Sequence, residues 1–571
     1  MRRTTPRRLP GVLTGAMLAL GLTAACTGGG APPVAAGGGA TAGSTSSAAA
    51  ATRILDVYTG ASGQNTANFN PFTPTPLHGV QGMIYEPLMF FNQAKAGDVQ
   101  PQLATAYRFA DGGRTLTFTL RPGVKWSDGR PLTAEDVAFS FELAKKNPKL
   151  NSGINSGGNV MTSVEATGAT EVTLKFKEPA YTRLWNIAGQ SWIVPRHIWE
   201  KIKDPATDPN KNPVGTGPFV LGDFSPQTYV LKKNPQYWET GKPKIAGMRF
   251  YSFNGGDAAT TALAAGQLDW SGLFMPDIDK QYVAKDPEHN KYKNESFLYV
   301  TNLVPNLKKA PFTDVAVRRA VNVALDRKKI IDLAFAGLGK MPNPLGLVLP
   351  QYQDYIAPQF ANTQLEYDPA KARQILEQAG YQRGADGVYA KDGKRLSITC
   401  TVVTGWTDYI STMQIVKQQL KEVGIEFKSK EVSFNAFSAA QTSGDFQMHI
   451  WNAWGGPGPY YMYNNILNSA NVPPAGQNQA RWKNDVVDAA LSTIAQTPPE
   501  DTEAVKQAIQ RIQEQVVAEV PYIPIQQSSA LAEFRTLHAT GWPSEENPYA
   551  LALPFYVPDG AIVAKNLVPV P

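Results

Sequence analysis

Residues 116–136 read LTFTLRPGVKWSDGRPLTAED, and this one stretch lays out a strand, a turn and the start of a helix. Leu116, Phe118 and Leu120 alternate with Thr117 and Thr119, the period of a half-buried strand that keeps its threonines outward. Ser127-Asp128-Gly129 makes a turn that needs glycine at a left-handed position. Thr133-Ala134-Glu135-Asp136 then reads as an N-cap with acidic first-turn residues, whose charge suits the positive end of a helix dipole. Val137, Phe139, Phe141 and Leu143 supply the buried face of that helix. Because Asp128, Glu135 and Asp136 are accounted for by turn and cap, none of them is a catalytic candidate.

The same alternation of strand and helix recurs further on. Tyr367-Asp368-Pro369-Ala370 caps a helix that runs through Ala372, Ile375, Leu376 and Ala379 to a stop at Gly380, and Leu396 to Val403 follows as a strand. A helix from Ile410 to Val423 ends at Gly424, before a strand from Ile425 to Phe427. Strand, helix, strand at this spacing predicts βαβ units, with ligand-facing loops at the strand ends; Thr404-Gly405-Trp406-Thr407 is such a loop.

Several further motifs stand in order: IYEPLMFF at 84–91, PVGTGPF at 213–219, Asn234-Pro235-Gln236-Tyr237-Trp238, Leu263 to Trp270, FTDVAVRRAVNVALDR at 312–327, and Pro521-Tyr522-Ile523-Pro524-Ile525. With the opening block they give a chain that resembles the extracellular solute-binding proteins called family 5, over nearly all of residues 53–560. The resemblance implies an α/β, two-lobed, periplasmic-binding-protein-like fold with an extra small domain. It places the first lobe in 52–82, 210–308 and 521–571, the small domain in 83–209 and the second lobe in 309–520. It also implies a capture protein that serves an ABC permease and its ATPase, with no catalytic role and no cofactor. Arg318, Arg319, Asp326 and Arg327 are expected to form structural salt bridges at the entry to the second lobe.

The N-terminus carries its own message. Arg2, Arg3, Arg7 and Arg8 form a positive n-region, and Gly11 to Ala25 is an apolar run of signal-peptide length, too short to cross a bilayer. Leu22-Thr23-Ala24-Ala25-Cys26 looks like a bacterial lipobox, with Thr23 where an aliphatic is usual, so residues 1–25 read as a signal peptide and Cys26 as the lipid-attachment site. Residues 26–51 then form a tether of Gly, Ala, Ser, Thr and Pro, with too little apolar surface to offset its ordering entropy. The expected location is the outer face of the cell membrane, through the lipid.

Without the four leader arginines the chain carries 50 basic against 48 acidic residues, a balance that gives no support for a nucleic-acid partner. Of two cysteines, Cys26 is the lipid site and Cys400 stands alone in an alternating segment, so no disulfide forms within the mature body and Cys400 reads as a buried small residue. The five histidines, His78, His197, His289, His449 and His538, are far apart and have no ligand spacing, which argues against a metal site. No HExxH, G-x-S-x-G or GxxxxGK[ST] motif is present, which disfavours a secreted enzyme.

The ligand is the open question. In peptide-binding members of the family a Trp-x-x-Asp pattern sets a carboxylate against the peptide's α-ammonium, and here the stretch reads Trp451-Asn452-Ala453-Trp454, with Trp454 at the acid's position. Trp454, Tyr460, Tyr461, Trp406 and Trp451 offer flat faces suited to sugar rings, and Asn70 joins them as a candidate polar contact. The balance leans to a neutral oligosaccharide such as a β-linked di- or trisaccharide, bound by a monomer. An oligopeptide importer or a peptide-signal sensor is the alternative, and for a peptide Asp408 or Asp445 would have to supply the missing carboxylate.

Overall fold

The computed structural model describes residues 53–570 apart from positions 96, 157, 254, 297 and 529. The leader, Cys26 and the tether lie outside the described residues. A seven-stranded sheet is built around Ile54–Ser62, which runs parallel to Gly247–Phe253 on one side and Trp270–Ser271 on the other. Beside it, a four-stranded antiparallel sheet spans Ala104–Phe176 and packs against the helix Ala134–Lys146. The second lobe is centred on a five-stranded sheet ordered Glu426–Val432, Ser397–Val403, Met448–Trp454, Tyr299–Pro305 and Ile523–Gln527. The fold is thus the mixed α/β arrangement that the sequence predicts.

The block at 116–136 folds largely as read. The Thr133 hydroxyl accepts from the Asp136 amide at 3.3 Å while the Asp136 carboxylate accepts from the Thr133 amide at 3.0 Å, a reciprocal cap that satisfies two otherwise orphaned donors. The second Asp136 oxygen accepts from the Arg196 amide at 3.0 Å, so the cap also fixes the following segment. Gly129 has φ +88°, the left-handed geometry that its turn requires. One detail differs: Thr117 points inward and is buried, where its hydroxyl meets that of Thr173 on the neighbouring strand at 3.0 Å. A paired hydroxyl can be buried where a lone one would be costly. PVGTGPF is explained by close approach, because a methyl at Gly215 or Gly217 would overlap the Ile84 or Met83 carbonyl oxygen.

Two expectations need correction. Among the described residues, Arg318, Arg319 and Arg327 make no salt bridges; they donate to main-chain carbonyls of Glu519, Ala518 and Pro524 at 2.8, 3.0 and 2.6 Å, and Asp326 caps the helix Arg327–Ala334. Carbonyls at the ends of helices and strands present partial negative charge, and a guanidinium can satisfy several of them at once. The lobe boundaries also shift. Tyr299–Pro305 and Ile523–Gln527 are paired strands of the second lobe's sheet, so the chain crosses near 295–298 and returns near 528–530. The two crossings are tied together: the Glu295 amide donates to the Ala530 carbonyl at 2.8 Å, and the Leu298 amide donates to the Ser528 hydroxyl at 3.1 Å.

Candidate ligand site at the strand ends of the second lobe

Ser397–Val403, Glu426–Val432 and Met448–Trp454 run parallel, so their carboxyl ends open on one edge of the sheet, the usual place for a ligand in an α/β fold. Gly405, at φ +88°, turns the chain after the first of these strands and delivers Trp406 to the N-terminus of the helix Thr407–Glu422. The Trp406 ring stacks on Trp451, with centroids 5.9 Å apart and planes 25° apart, and is flanked by Phe434 and Phe437. Trp454 ends its strand with 43% of its surface exposed, its ring tilted against Tyr299 at 4.7 Å. The structure therefore brings Trp406, Trp451 and Trp454 to one edge, and adds Tyr299.

Beneath that edge is a cavity of about 280 Å³, between the sheet face that carries Asn302 and Trp451 and the helix Pro459–Leu467. Amides dominate its polar lining: Asn302, Asn452, Asn465, Gln477 and Gln479, with no ionisable side chain except the Tyr522 phenol. The Gln479 oxygen is taken by His449 at 2.6 Å, and burial holds that imidazole neutral, pushing its pKa down to about 3. Asn302 uses its amide nitrogen on the Val300 carbonyl at 2.8 Å, and Gln477 accepts from Gln479 at 3.2 Å. Among the described residues, the Asn302 oxygen, the Gln477 nitrogen and the whole Asn465 amide have no protein partner, which leaves donors and acceptors side by side.

Tyr460 and Tyr461 take a different place. The Tyr461 ring meets Trp185 of the first lobe edge-on at 5.0 Å, and Tyr460 packs edge-on against Tyr461 at 5.7 Å. Both join the lobes instead of offering free faces. Asn70 does not reach the site: it is fully buried, donates to the Pro205 and Asp208 carbonyls at 2.9 and 2.7 Å, and accepts from the Phe72 amide at 2.8 Å. Its polar atoms are consumed in holding a loop, which removes it as a ligand contact. Asp445 is exposed and paired with Lys309 at 2.9 Å, away from this edge, whereas Asp408 lies in the first turn of the helix that follows Trp406. Sequence reasoning missed Tyr299, Trp185 and the cavity amides, because nothing local distinguishes them from core or loop residues.

No group of three or more His, Cys, Asp or Glu side chains that would hold a metal occurs among the described residues. Cys400 is fully buried, and burial pushes its thiol pKa up, as expected of an inert core cysteine. No helix among the described residues is long and apolar enough to cross a membrane.

Comparison with known proteins agrees with the geometry. The Escherichia coli nickel-binding periplasmic protein is 29% identical over 493 residues, covering 82% of this chain and 88% of its own. The Bacillus subtilis oligopeptide-binding protein AppA is 27% identical over 484 residues, covering 82% and 85%. Among solved structures, the periplasmic oligopeptide-binding protein of an oligopeptide ABC transporter from Thermotoga maritima superposes with a TM-score of 0.83 at 26% identity, covering 90% of this chain and 99% of that one. The same Thermotoga protein bound to mannohexaose gives 0.76 at 26% identity, covering 90% and 98%. These relatives are substrate-binding transport proteins. Residues 98–473 match the sequence profile of the bacterial extracellular solute-binding proteins, family 5 (middle region), and the chain belongs to that family.

Proposed function

We propose that this protein captures a neutral oligosaccharide between its lobes and delivers it to an ABC permease, held at the outer face of the membrane by a lipid on Cys26. The observation that carries the ligand class is the pairing of aromatic faces with unpaired, uncharged amides at the strand ends. A sugar ring offers an apolar face to a tryptophan and a rim of hydroxyls that both donate and accept, and Asn and Gln side chains match that rim because they do both as well. Trp454, in place of the acid that a peptide's α-ammonium requires, supports the same reading, and so does mannohexaose in the Thermotoga relative. Oligopeptide capture is the second reading, favoured by the names of relatives such as AppA.

The test is a thermal-shift screen of neutral oligosaccharides against di- to pentapeptides. A ligand at 100 times its dissociation constant stabilises the native state by about 2.7 kcal/mol, a readily measured shift. Stabilisation by a saccharide and by no peptide is the expected result. Stabilisation by peptides alone, lost when their α-amino group is acetylated, sinks the oligosaccharide reading.

A further inference from the structure

At the tip of the second lobe's sheet, beside the amide-lined cavity, three polar groups are left over. The Asn452 oxygen accepts from the Thr301 hydroxyl at 3.0 Å and from the Tyr409 hydroxyl at 2.8 Å. That orients the amide, and its nitrogen is left without an acceptor among the described residues. The Tyr299 hydroxyl has no hydrogen-bond partner there either, although its ring is largely covered by Trp454 and its neighbours. Among the described residues, the Asp408 carboxylate, in the first turn of the helix Thr407–Glu422, pairs with no cation and bonds no other side chain. Its neighbour in that turn, Tyr409, is the residue whose hydroxyl reaches the Asn452 oxygen, which sets the start of the helix beside the Asn452 amide, and burial pushes the Asp408 pKa up.

We propose that Asp408, Tyr299 and Asn452 form a polar subsite that takes two neighbouring hydroxyls of one sugar ring stacked on Trp454; the assignment rests on the oligosaccharide reading above. The group is not an anion site, since a carboxylate faces it. It also fits an ammonium poorly, because an ammonium only donates and would oppose the Asn452 N–H instead of satisfying it. A vicinal diol satisfies all three at once: one hydroxyl donates to the carboxylate and accepts from the Asn452 nitrogen, and the next donates to the carboxylate and accepts from the Tyr299 hydroxyl. Trp454 supplies the flat apolar surface, and its exposure leaves room for the ring. Asp408 would thus be a specificity-determining residue, while the cavity amides would serve the rest of the chain of sugars.

The experiment uses the soluble body and titration calorimetry with cellobiose, cellotriose, laminaritriose and mannohexaose, on the wild type and on Asp408→Ala, Asp408→Asn and Tyr299→Phe, each first checked for an unchanged melting temperature. For the saccharide that binds the wild type, Asp408→Ala should weaken binding about 10- to 100-fold and Tyr299→Phe about 3- to 10-fold, the range for lost hydrogen bonds to charged and neutral partners. Monodeoxy analogues of that saccharide complete a double-mutant cycle. Removal of the contacted hydroxyl should abolish the Asp408→Ala effect, which a merely structural role would leave in place. Saccharide binding that is indifferent to all three substitutions overturns the subsite and spares the proposed function. Binding of peptides and of no saccharide overturns both. Asp408→Asn with affinity unchanged for amine-free saccharides but lost for amine-bearing ones overturns the hydroxyl assignment in favour of an ammonium.

Discussion

Removing the Trp185 side chain should loosen the hold of the lobes on each other and weaken ligand capture by a definable amount. Trp185 meets Tyr461 edge-on at 5.0 Å, and Tyr461 in turn meets Tyr460 edge-on at 5.7 Å. An aromatic pair in that geometry contributes about 0.5–1.5 kcal/mol beyond the area it buries. Trp185→Ala deletes the ring contact and leaves the backbone in place, so the closed form should lose about 1–2 kcal/mol relative to the open one. That is a shift of roughly 5- to 30-fold in their ratio. Since the apparent dissociation constant is the intrinsic one divided by the closed population, it should rise by at most the same factor, a limit reached where the ligand-free protein is mostly open. Small-angle scattering should show a larger radius of gyration for the ligand-free variant, and saturating ligand should restore the wild-type value. Identical scattering and identical affinity for Trp185→Ala and wild type would refute the view that these aromatics set the balance of closure.

Trp454→Ala should cost about 1–3 kcal/mol of ligand affinity, through the lost aromatic face, while leaving the melting temperature nearly unchanged because 43% of the residue is already exposed; calorimetry and a thermal melt check the two halves separately. Cys26→Ser should release the protein from the membrane fraction with its affinity intact, and retention there would show that the lipid reading is wrong. Stability should rise as pH falls from about 8 to about 6.5: burial lifts the carboxyls of Glu86, Glu533 and Asp559 to about 7, above their unfolded values, so each binds its proton more tightly when folded and destabilises the fold as pH climbs through 7. Below about pH 6.5 the trend should be opposed by His449, whose folded pKa of about 3 makes stability fall as the unfolded chain takes up protons; Glu533→Gln should flatten the upper slope in pH-dependent melts.

What the sequence discloses here is what local chemistry determines. Thr133 and Asp136 cap a helix because the two side chains and two amides lie within three residues of each other, and Asp368 with Pro369 starts another for the same reason. The three tryptophans of the site are legible for different reasons: Trp406 follows a strand and a glycine in the βαβ pattern, whereas Trp451 and Trp454 stand out through the family's Trp-x-x-Asp pattern, and their strand, Met448–Trp454, is visible only in the structure. Asn70 was misjudged because an asparagine in a Pro-rich loop looks the same whether its amide faces a cleft or caps three main-chain groups from residues up to 138 positions away. The lobe boundaries were misplaced because a strand such as Ile523–Gln527 declares its period but not its partner, and its partner, Tyr299–Pro305, is more than 200 positions earlier. Recognition chemistry suffers most from this limit. Whether Asn452 offers a donor is decided by Thr301 and Tyr409 occupying its oxygen, and whether Tyr299 is free is decided by its hydroxyl bonding no partner among the described residues; both are properties of three chain segments meeting. In the proposed subsite the carboxylate missing from the Trp-x-x-Asp position is supplied by Asp408, which the sequence names beside Asp445 without showing that its helix turn adjoins the Asn452 amide. That company turns an acid suited to holding a cation into one better matched to hydroxyls.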